Sequence, residues 1–250
     1  MSADAPGGEQ SLLSHLLELR ARLLRSALGV LACLLPLAVY ARELYALLAA
    51  PLLKLLPPGG GMIATEVASP FLTPFKLAAV CALVLAMPWV LYQVWAFVAP
   101  GLYRNERRLV APLLFSSTLL FYCGVAFAYF LVLPAAFRVL VAMAPPGVVV
   151  MTDISKYLDF VLTLFIAFGL AFETPVAIVI LVRTGFVTAA QLANSRGYVL
   201  VIAFVLGAIF TPPDVLSQIL LAVPMYLLFE LGLLAARWVT PAASAAVSPH

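Results

Sequence analysis

The sequence predicts an all-α polytopic membrane protein, with six transmembrane helices in a bent, concave bundle, an external cap and both termini in the cytoplasm. Three observations indicate this class. Hydrophobic residues make up 65% of the 250 residues and charged residues only 10%, whereas about a quarter of the residues in soluble domains are charged. Several uncharged runs are long enough to cross the ~30 Å hydrocarbon core. The charges gather at the ends of those runs, where they mark the membrane surfaces.

An amphipathic helix over residues 11–25 precedes the first span. Its leucines recur at helical spacing on one stripe, while Glu18 and Arg22 lie on another. We expect this helix to lie along the membrane interface before the chain enters the bilayer. Residues 42–76 are broken by Gly and Pro, most clearly at residues 57–61, and are predicted to form an external cap of short helices and turns.

The predicted spans are residues 26–40, 77–98, 109–133, 160–182, 199–210 and 215–236. Pro36 is expected to bend or shorten the first span, and Pro88 interrupts the second. The fifth is well short of the ~30 Å core. A second external loop is predicted over residues 134–157. We assign residues 1–237 to a single six-helix transmembrane domain and residues 238–250 to a short flexible tail.

The distribution of Lys and Arg predicts the orientation in the membrane. Nine cations fall on the side that carries both termini and five on the other, although the loops on that other side are longer. Cation-rich loops stay in the cytoplasm, which places both termini there. The nine are Arg20, Arg22, Arg25, Arg104, Arg107, Arg108, Arg183, Arg196 and Arg237; the five are Arg42, Lys54, Lys76, Arg138 and Lys156.

The composition argues against several classes of function. A net charge of +3 is modest, so nucleic-acid binding is not expected. The histidines are His15 and His250, and the three cysteines lie inside apolar runs, so no metal site is expected. Phosphate-binding loops and nucleophile motifs are absent from the sequence. We therefore expect neither a cofactor nor an enzyme activity.

Two carboxylates, Glu18 and Glu106, are predicted to lie at the same membrane surface. They are candidates for binding a ligand with two guanidinium groups, because Arg and carboxylate match in planar, bidentate pairs. From spacing alone, a structural role is the favoured interpretation of both carboxylates. Glu18 can pair with Arg22 at i,i+4, and Glu106 can be neutralised by the arginines that follow it.

A third carboxylate, Glu173, lies near the middle of the fourth span, where an ionised side chain costs roughly 3 kcal/mol or more. We expect it to face a polar cavity or a partner, to make a polar contact between helices, or to be protonated. It supports an alternative function, a proton-coupled small-solute secondary transporter. Glu230 is closer to the boundary and is expected to be structural. Ala203 and Gly207 form a small-residue face for packing within the chain or against another subunit.

Short motifs follow one another in order along nearly the whole chain. They are HLLELR at residues 15–20, SPF at 69–71 with Lys76, YQVWAFVAPGLY at 92–103, ERR at 106–108, FETP at 172–175 and TPPD at 211–214. In this combination they resemble the TatC family, the multispanning subunit of the twin-arginine protein translocase. The family has six spans with cytoplasmic termini, which agrees with the spans predicted above.

The resemblance implies a receptor for the twin-arginine signal peptides of folded proteins. Glu18 and Glu106 become the carboxylates that recognise the paired arginines, on a surface shaped by apolar side chains. Neighbouring arginines are expected to orient the carboxylates or to contact lipid headgroups. The residues implied in signal-peptide binding are Leu16, Glu18, Arg20, Phe97, Leu102, Glu106 and Arg107.

The resemblance also implies partners and a location. The partners are single-span subunits of the TatB and TatA types, within an oligomeric receptor complex that uses the proton-motive force across a bacterial inner membrane. Glu173 matches the family's polar residue inside the membrane, on the concave face. The short fifth and sixth spans are expected to thin the bilayer locally. The implied docking site for a TatB-type helix is Ala208, Ile209, Phe210, Thr211, Pro212, Pro213 and Asp214.

Overall fold

The structure, a computed structural model, describes residues 7–55, 61–98, 110–143, 151–210 and 215–239. This part of the chain is mostly α-helical. Its helices are α1 (Gly7–Val39), α2 (Ala41–Leu55), α3 (Ser69–Val98), α4 (Val110–Phe127), α5 (Leu133–Ala142), α6 (Ile154–Ala171), α7 (Thr174–Arg183), α8 (Ala189–Asn194), α9 (Arg196–Phe210) and α10 (Val215–Val239). A π-helical turn, Ala128–Val132, joins α4 to α5, and two short strands are β1 (Gly61–Ile63) and β2 (Met151–Asp153).

Five helical segments of the described chain are long and apolar enough to cross a membrane. They are His15–Val39, Ser69–Phe97, Ala111–Ala142, Ile154–Arg183 and Gln218–Trp238. The predicted fifth span lies within α9, a shorter apolar helix of 15 residues. The all-helical, polytopic class is therefore confirmed. The count of six spans, the concave arrangement and the cytoplasmic termini stay predictions.

The start of the chain differs from the prediction. Instead of a separate interfacial helix over residues 11–25, α1 runs without a break from Gly7 to Val39. The junction at Arg25 and Ser26 contains neither Gly nor Pro, so nothing interrupts the helical hydrogen bonds there. The expected bend at Pro36 falls inside this same helix.

The ends of the second and third spans also differ. α3 begins at Ser69, so Pro70 and Pro74 belong to its first turns rather than to the cap. The third span does not end at Leu133 but continues through α5 to Ala142. Proline lacks an N–H and its ring crowds the preceding turn of an α-helix. Here the π-helical turn ends at Val132, two residues before Pro134, and the wider turn lets the helix continue.

The described helices fall into two compact units. Unit 1 comprises Met1–Leu44 and Pro74–Thr118, and unit 2 comprises Tyr45–Thr73 and Leu119–His250. In unit 1, α1 contacts α3 at two places, His15 with Phe97 and the Arg25 carbonyl with Trp89. In unit 2, α10 packs against both α7 and α9. A buried apolar cluster holds α7 to α10: Ile178, Val182, Phe229 and Ala236.

The predicted external cap is organised around Asp153 of unit 2. β1 and β2 pair in parallel, and the Asp153 carboxylate accepts hydrogen bonds from the Thr65 backbone N–H at 3.0 Å and the Thr65 hydroxyl at 2.6 Å. It also caps α6, because the N–H groups of Ser155 and Lys156 donate to it at 2.9 and 3.0 Å. One side chain thus joins the strand pair to the start of α6.

Tyr157 holds a second connection within unit 2. Its side chain is only 1% exposed, and its hydroxyl donates to the Leu48 carbonyl on α2 at 2.7 Å. The ring of Phe137 on α5 lies 5.4 Å away, centroid to centroid. Tyr157 therefore links α6 to both α2 and α5.

The cap is expected to weaken in acid because of Asp153. Hydrogen bonds, first from the Thr65 hydroxyl and then from backbone N–H groups, lower the pKa of Asp153 from 3.8 to about 2. Because the pKa of Asp153 is lower in the folded protein than in the unfolded chain, the ionised carboxylate stabilises the fold at pH values above about 4. This stabilisation is lost as the pH falls from about 4 to about 2. The difference in unfolding free energy between the native protein and Asp153→Asn should shrink over that range.

Detergent-solubilised protein unfolded at several pH values measures this difference. Glu66→Gln is the matched control, because it removes an exposed carboxyl from the same cap. A difference between native protein and Asp153→Asn that stays constant from pH 5 to pH 2 would contradict the role assigned to the carboxylate.

Candidate functional site

Glu18 lies on the N-terminal part of α1, in unit 1, and is already engaged by a guanidinium. Arg22, one turn further on, donates from Nε at 3.0 Å and from Nη2 at 2.6 Å to the same oxygen, Oε1. The Glu18 side chain remains 36% exposed and that of Arg22 is 19% exposed. The predicted i,i+4 pair is therefore confirmed. The carboxylate is accessible and is held where it accepts a guanidinium.

The end of α3 lies beside this part of α1. The rings of His15 and Phe97 stack, with centroids 4.3 Å apart and an angle of 26° between the planes. His15 is three residues before Glu18, so the two share one side of the helix. Leu16 is 59% exposed, and Arg20 is also exposed. The structure thus brings Phe97 against the helix that carries Glu18.

Trp89 fixes α1 to α3 about two turns further along. Its indole Nε1–H donates to the Arg25 carbonyl at 3.0 Å. Gly29 lies directly against the indole ring, so that a β-carbon there would overlap Trp89. The sequence motifs do not include Trp89. Its contact with α1 depends on how the two helices pack, and a single sequence carries no signal for that packing.

The rest of the predicted signal-peptide site is outside the described residues. Leu102, Glu106 and Arg107 all lie between residues 99 and 109. Among the described residues, no group of three or more His, Cys, Asp or Glu side chains is placed to hold a metal ion.

Glu173 lies at a break in the predicted fourth span. α6 ends at Ala171 and α7 begins at Thr174, with Pro175 in its first turn. The Glu173 backbone N–H donates to the Leu170 carbonyl at 3.0 Å, and its carbonyl accepts from Ala177 at 2.9 Å. The side chain is half-buried, with Oε1 enclosed by the protein. The Glu173 carboxylate therefore lies at the junction of α6 and α7.

The predicted docking site begins on an apolar surface of α9 and α10. Ala208 and Ile209 are exposed, and Phe210 is half-buried; Thr211, Pro212, Pro213 and Asp214 are outside the described residues. Ala208 and Ile209 line a shallow groove of about 460 Å³, with Leu200, Val201, Phe204, Val205 and Gln218.

The small-residue face of α9 packs inside the chain. Ala203 and Gly207 are buried, and Gly207 lies against Gln218 of α10. The Gln218 amide donates to the Phe204 carbonyl at 2.8 Å. Of the two alternatives for this face, the structure selects packing within the chain.

Glu230 is a structural ion-pair partner, as the sequence predicted. Its two oxygens accept hydrogen bonds from Nε and Nη2 of Arg196 at 2.6 and 2.9 Å. The Tyr226 hydroxyl donates to Oε1 of Glu230 at 3.0 Å. This two-point pair joins the start of α9 to α10.

Comparison with known proteins identifies the family. The family model described as "Sec-independent protein translocase protein (TatC)" matches residues 14–224. The protein of that name from Haemophilus influenzae is 53% identical over 232 residues, covering 93% of this chain and 91% of the relative. The Escherichia coli K12 protein of the same name is 56% identical over 229 residues, covering 92% and 89%. The chain belongs to the TatC family.

A solved structure agrees with this assignment. The crystal structure described as that of the twin-arginine translocase receptor TatC is 39% identical, with a TM-score of 0.79, and the match covers 90% of this chain and 98% of that one. The all-helical architecture described above is thus the TatC fold. The comparisons give no support to the small-solute transporter alternative. As a TatC-family member with several apolar spans, the chain is a multi-pass membrane protein.

Proposed function

We propose that this chain is the receptor subunit of a twin-arginine translocase in a bacterial inner membrane. It binds the twin-arginine signal peptides of folded proteins at the cytoplasmic face, where both its termini lie. With single-span partners of the TatA and TatB types, and as an oligomer, it supports export driven by the proton-motive force.

The observation that carries the proposal is the geometry of Glu18. Its side chain is partly exposed, so a peptide can contact it. The carboxylate already binds one guanidinium, since Nη2 of Arg22 lies 2.6 Å from Oε1 of Glu18. Guanidinium and carboxylate form charge-assisted pairs with a defined planar geometry, which an ammonium group cannot reproduce. Leu16 and Phe97 on the same unit provide apolar surface beside it.

Three further residues enter the proposal through the family motifs. Glu106 is the second carboxylate, Leu102 adds to the apolar surface, and Arg107 lies beside Glu106 in the chain. We expect Arg107 and Arg20 to orient the carboxylates or to contact lipid headgroups.

A second part of the proposal concerns the partner subunit. The exposed apolar groove on α9 and α10 suits the apolar side of a single-span helix of the TatB type. Ala208 and Ile209 line the groove, and Phe210 follows them in the chain. Small and apolar side chains let transmembrane helices approach closely. The proposed contact continues through Thr211, Pro212, Pro213 and Asp214.

Cross-linking of a labelled signal peptide tests the receptor function. Native protein in membranes is expected to capture a twin-arginine peptide, and Glu18→Gln or Glu106→Gln is expected to lower capture about tenfold, because each removes one charge-assisted pair. A peptide with Lys-Lys in place of Arg-Arg should be captured much more weakly, since it cannot form bidentate pairs.

Glu43→Gln is the control for charge, because it removes an exposed carboxylate at the start of α2. All variants are compared at equal amounts of folded protein. Capture that is indifferent to both carboxylate changes, or equal capture of the Arg-Arg and Lys-Lys peptides, would overturn the proposal.

A further inference from the structure

The Glu18 carboxylate is occupied by a guanidinium from its own chain. Arg22 directs both Nε and Nη2 to Oε1, at 3.0 and 2.6 Å. Arg22 therefore already makes, at one of the two Glu18 oxygens, the kind of pair that a signal-peptide arginine would make. A peptide arginine can pair fully with Glu18 only when Arg22 gives way or shares the carboxylate.

We propose that Arg22 is a resident competitor that sets the affinity of the receptor for signal peptides. It holds the Glu18 carboxylate in the empty receptor, and the peptide guanidinium displaces it. This inference rests on the proposed function, because it requires that Glu18 bind a peptide arginine.

The geometry of the internal pair makes displacement favourable. Both Arg22 nitrogens share one oxygen, whereas a bidentate pair uses two parallel hydrogen bonds, one to each oxygen. The i,i+4 spacing ties Arg22 to its own turn of helix, which restricts its approach to the carboxylate. A peptide arginine has no such tether and can align with both oxygens.

A competitor and a positioning residue have opposite effects on binding. If Arg22 competes, the fraction of receptor with a free carboxylate limits the apparent affinity, and removing Arg22 tightens binding. If Arg22 orients the carboxylate for the peptide, removing it weakens binding. The sign of the change therefore separates the two roles.

The test measures the affinity of a fluorescent twin-arginine peptide for purified protein in lipid nanodiscs. Arg22→Gln is expected to bind the peptide about threefold more tightly, which corresponds to the loss of a partly exposed i,i+4 pair. Arg22→Lys keeps the positive charge but replaces the planar guanidinium with an ammonium group, so we expect a smaller increase in peptide affinity. Arg25→Gln is the matched control, because Arg25 is an exposed arginine three residues further along α1.

A double-mutant cycle ties the effect to Glu18. In the Glu18→Gln background, Arg22→Gln should change the affinity no more than Arg25→Gln does, because no carboxylate remains to be released. A gain of the same size in both backgrounds would mean that Arg22 acts through net charge, and would overturn the proposal.

The outcomes distinguish this inference from the function on which it rests. If Glu18→Gln weakens binding but neither Arg22 variant tightens it relative to Arg25→Gln, the receptor function stands and the competitor role is wrong. If Glu18→Gln binds the peptide as tightly as native protein does, both are wrong.

Discussion

Replacing Gly124 with alanine is expected to lower the free energy of unfolding by about 3 kcal/mol. Gly124 is buried on α4, where the helix meets α6 in unit 2. A β-carbon at this position overlaps the Phe168 carbonyl oxygen and lies 2.9 Å from the Phe168 carbonyl carbon and 3.0 Å from the Phe172 β-carbon. Because the nearest atoms belong to backbone, no side-chain rotation relieves the overlap. The two helices must move apart.

Gly197→Ala is the matched control for this change. Gly197 is also helical, and a β-carbon there has nothing within 4 Å. Gly197 lies in the first turn of α9, so Gly197→Ala gains at most the ~1 kcal/mol of helix propensity that Gly124→Ala gains. A much lower stability of Gly124→Ala therefore reports on the contact of α4 with α6. Thermal unfolding in a mild detergent, followed by circular dichroism, measures it. Equal stability of the two variants would contradict the close approach of these helices.

Replacing Tyr157 with alanine is expected to cost about 3 kcal/mol, and replacing it with phenylalanine about 1 kcal/mol. The ring fills a closed space between α2, α5 and α6, and the hydroxyl pairs with the Leu48 carbonyl. Lipid solvates apolar side chains about as well as a protein interior does. The cost of Tyr157→Ala therefore comes from lost packing and the lost hydrogen bond rather than from exposure to water.

The same unfolding measurement ranks the Tyr157 variants. Tyr198→Ala is the control, since Tyr198 is 76% exposed on α9 and its loss should change stability little. If Tyr157→Phe were as unstable as Tyr157→Ala, the hydroxyl alone would account for the effect, and the packing role of the ring would be wrong.

The sequence predicted the helical spans because the bilayer core sets a minimum length for an apolar run. The predicted ends of the spans were less accurate, because a residue that usually ends a helix can be accommodated by the conformation of the turn beside it. Pro134 indicates a helix end, yet the π-helical turn before it allows the third span to continue. The strands β1 and β2 have three residues each, too few for an alternating pattern to appear. Their pairing depends on contacts remote in sequence.

The candidate site shows the same division between local and remote contacts. Helical spacing predicted the pair of Glu18 with Arg22, because residues four apart share a helix face. Nothing local predicts that His15 stacks on Phe97 or that Trp89 binds the Arg25 carbonyl, because both contacts depend on how α1 packs on α3. The functional interpretation of Glu18 came from the family motifs, since the spacing alone favours a structural ion pair.

The contacts of Asp153 impose an order on biosynthesis. Asp153 binds Thr65 across 88 residues of sequence, an interval that a ribosome covers in roughly 5–20 s. Until β2 has been synthesised, β1 cannot form its parallel pair with it. The hydrogen bonds from Thr65 to Asp153 cannot form either. The cap can close only after the third span has been synthesised and the fourth has begun. The contacts of Asp153 with Thr65 therefore form only after α2 to α5 have been synthesised.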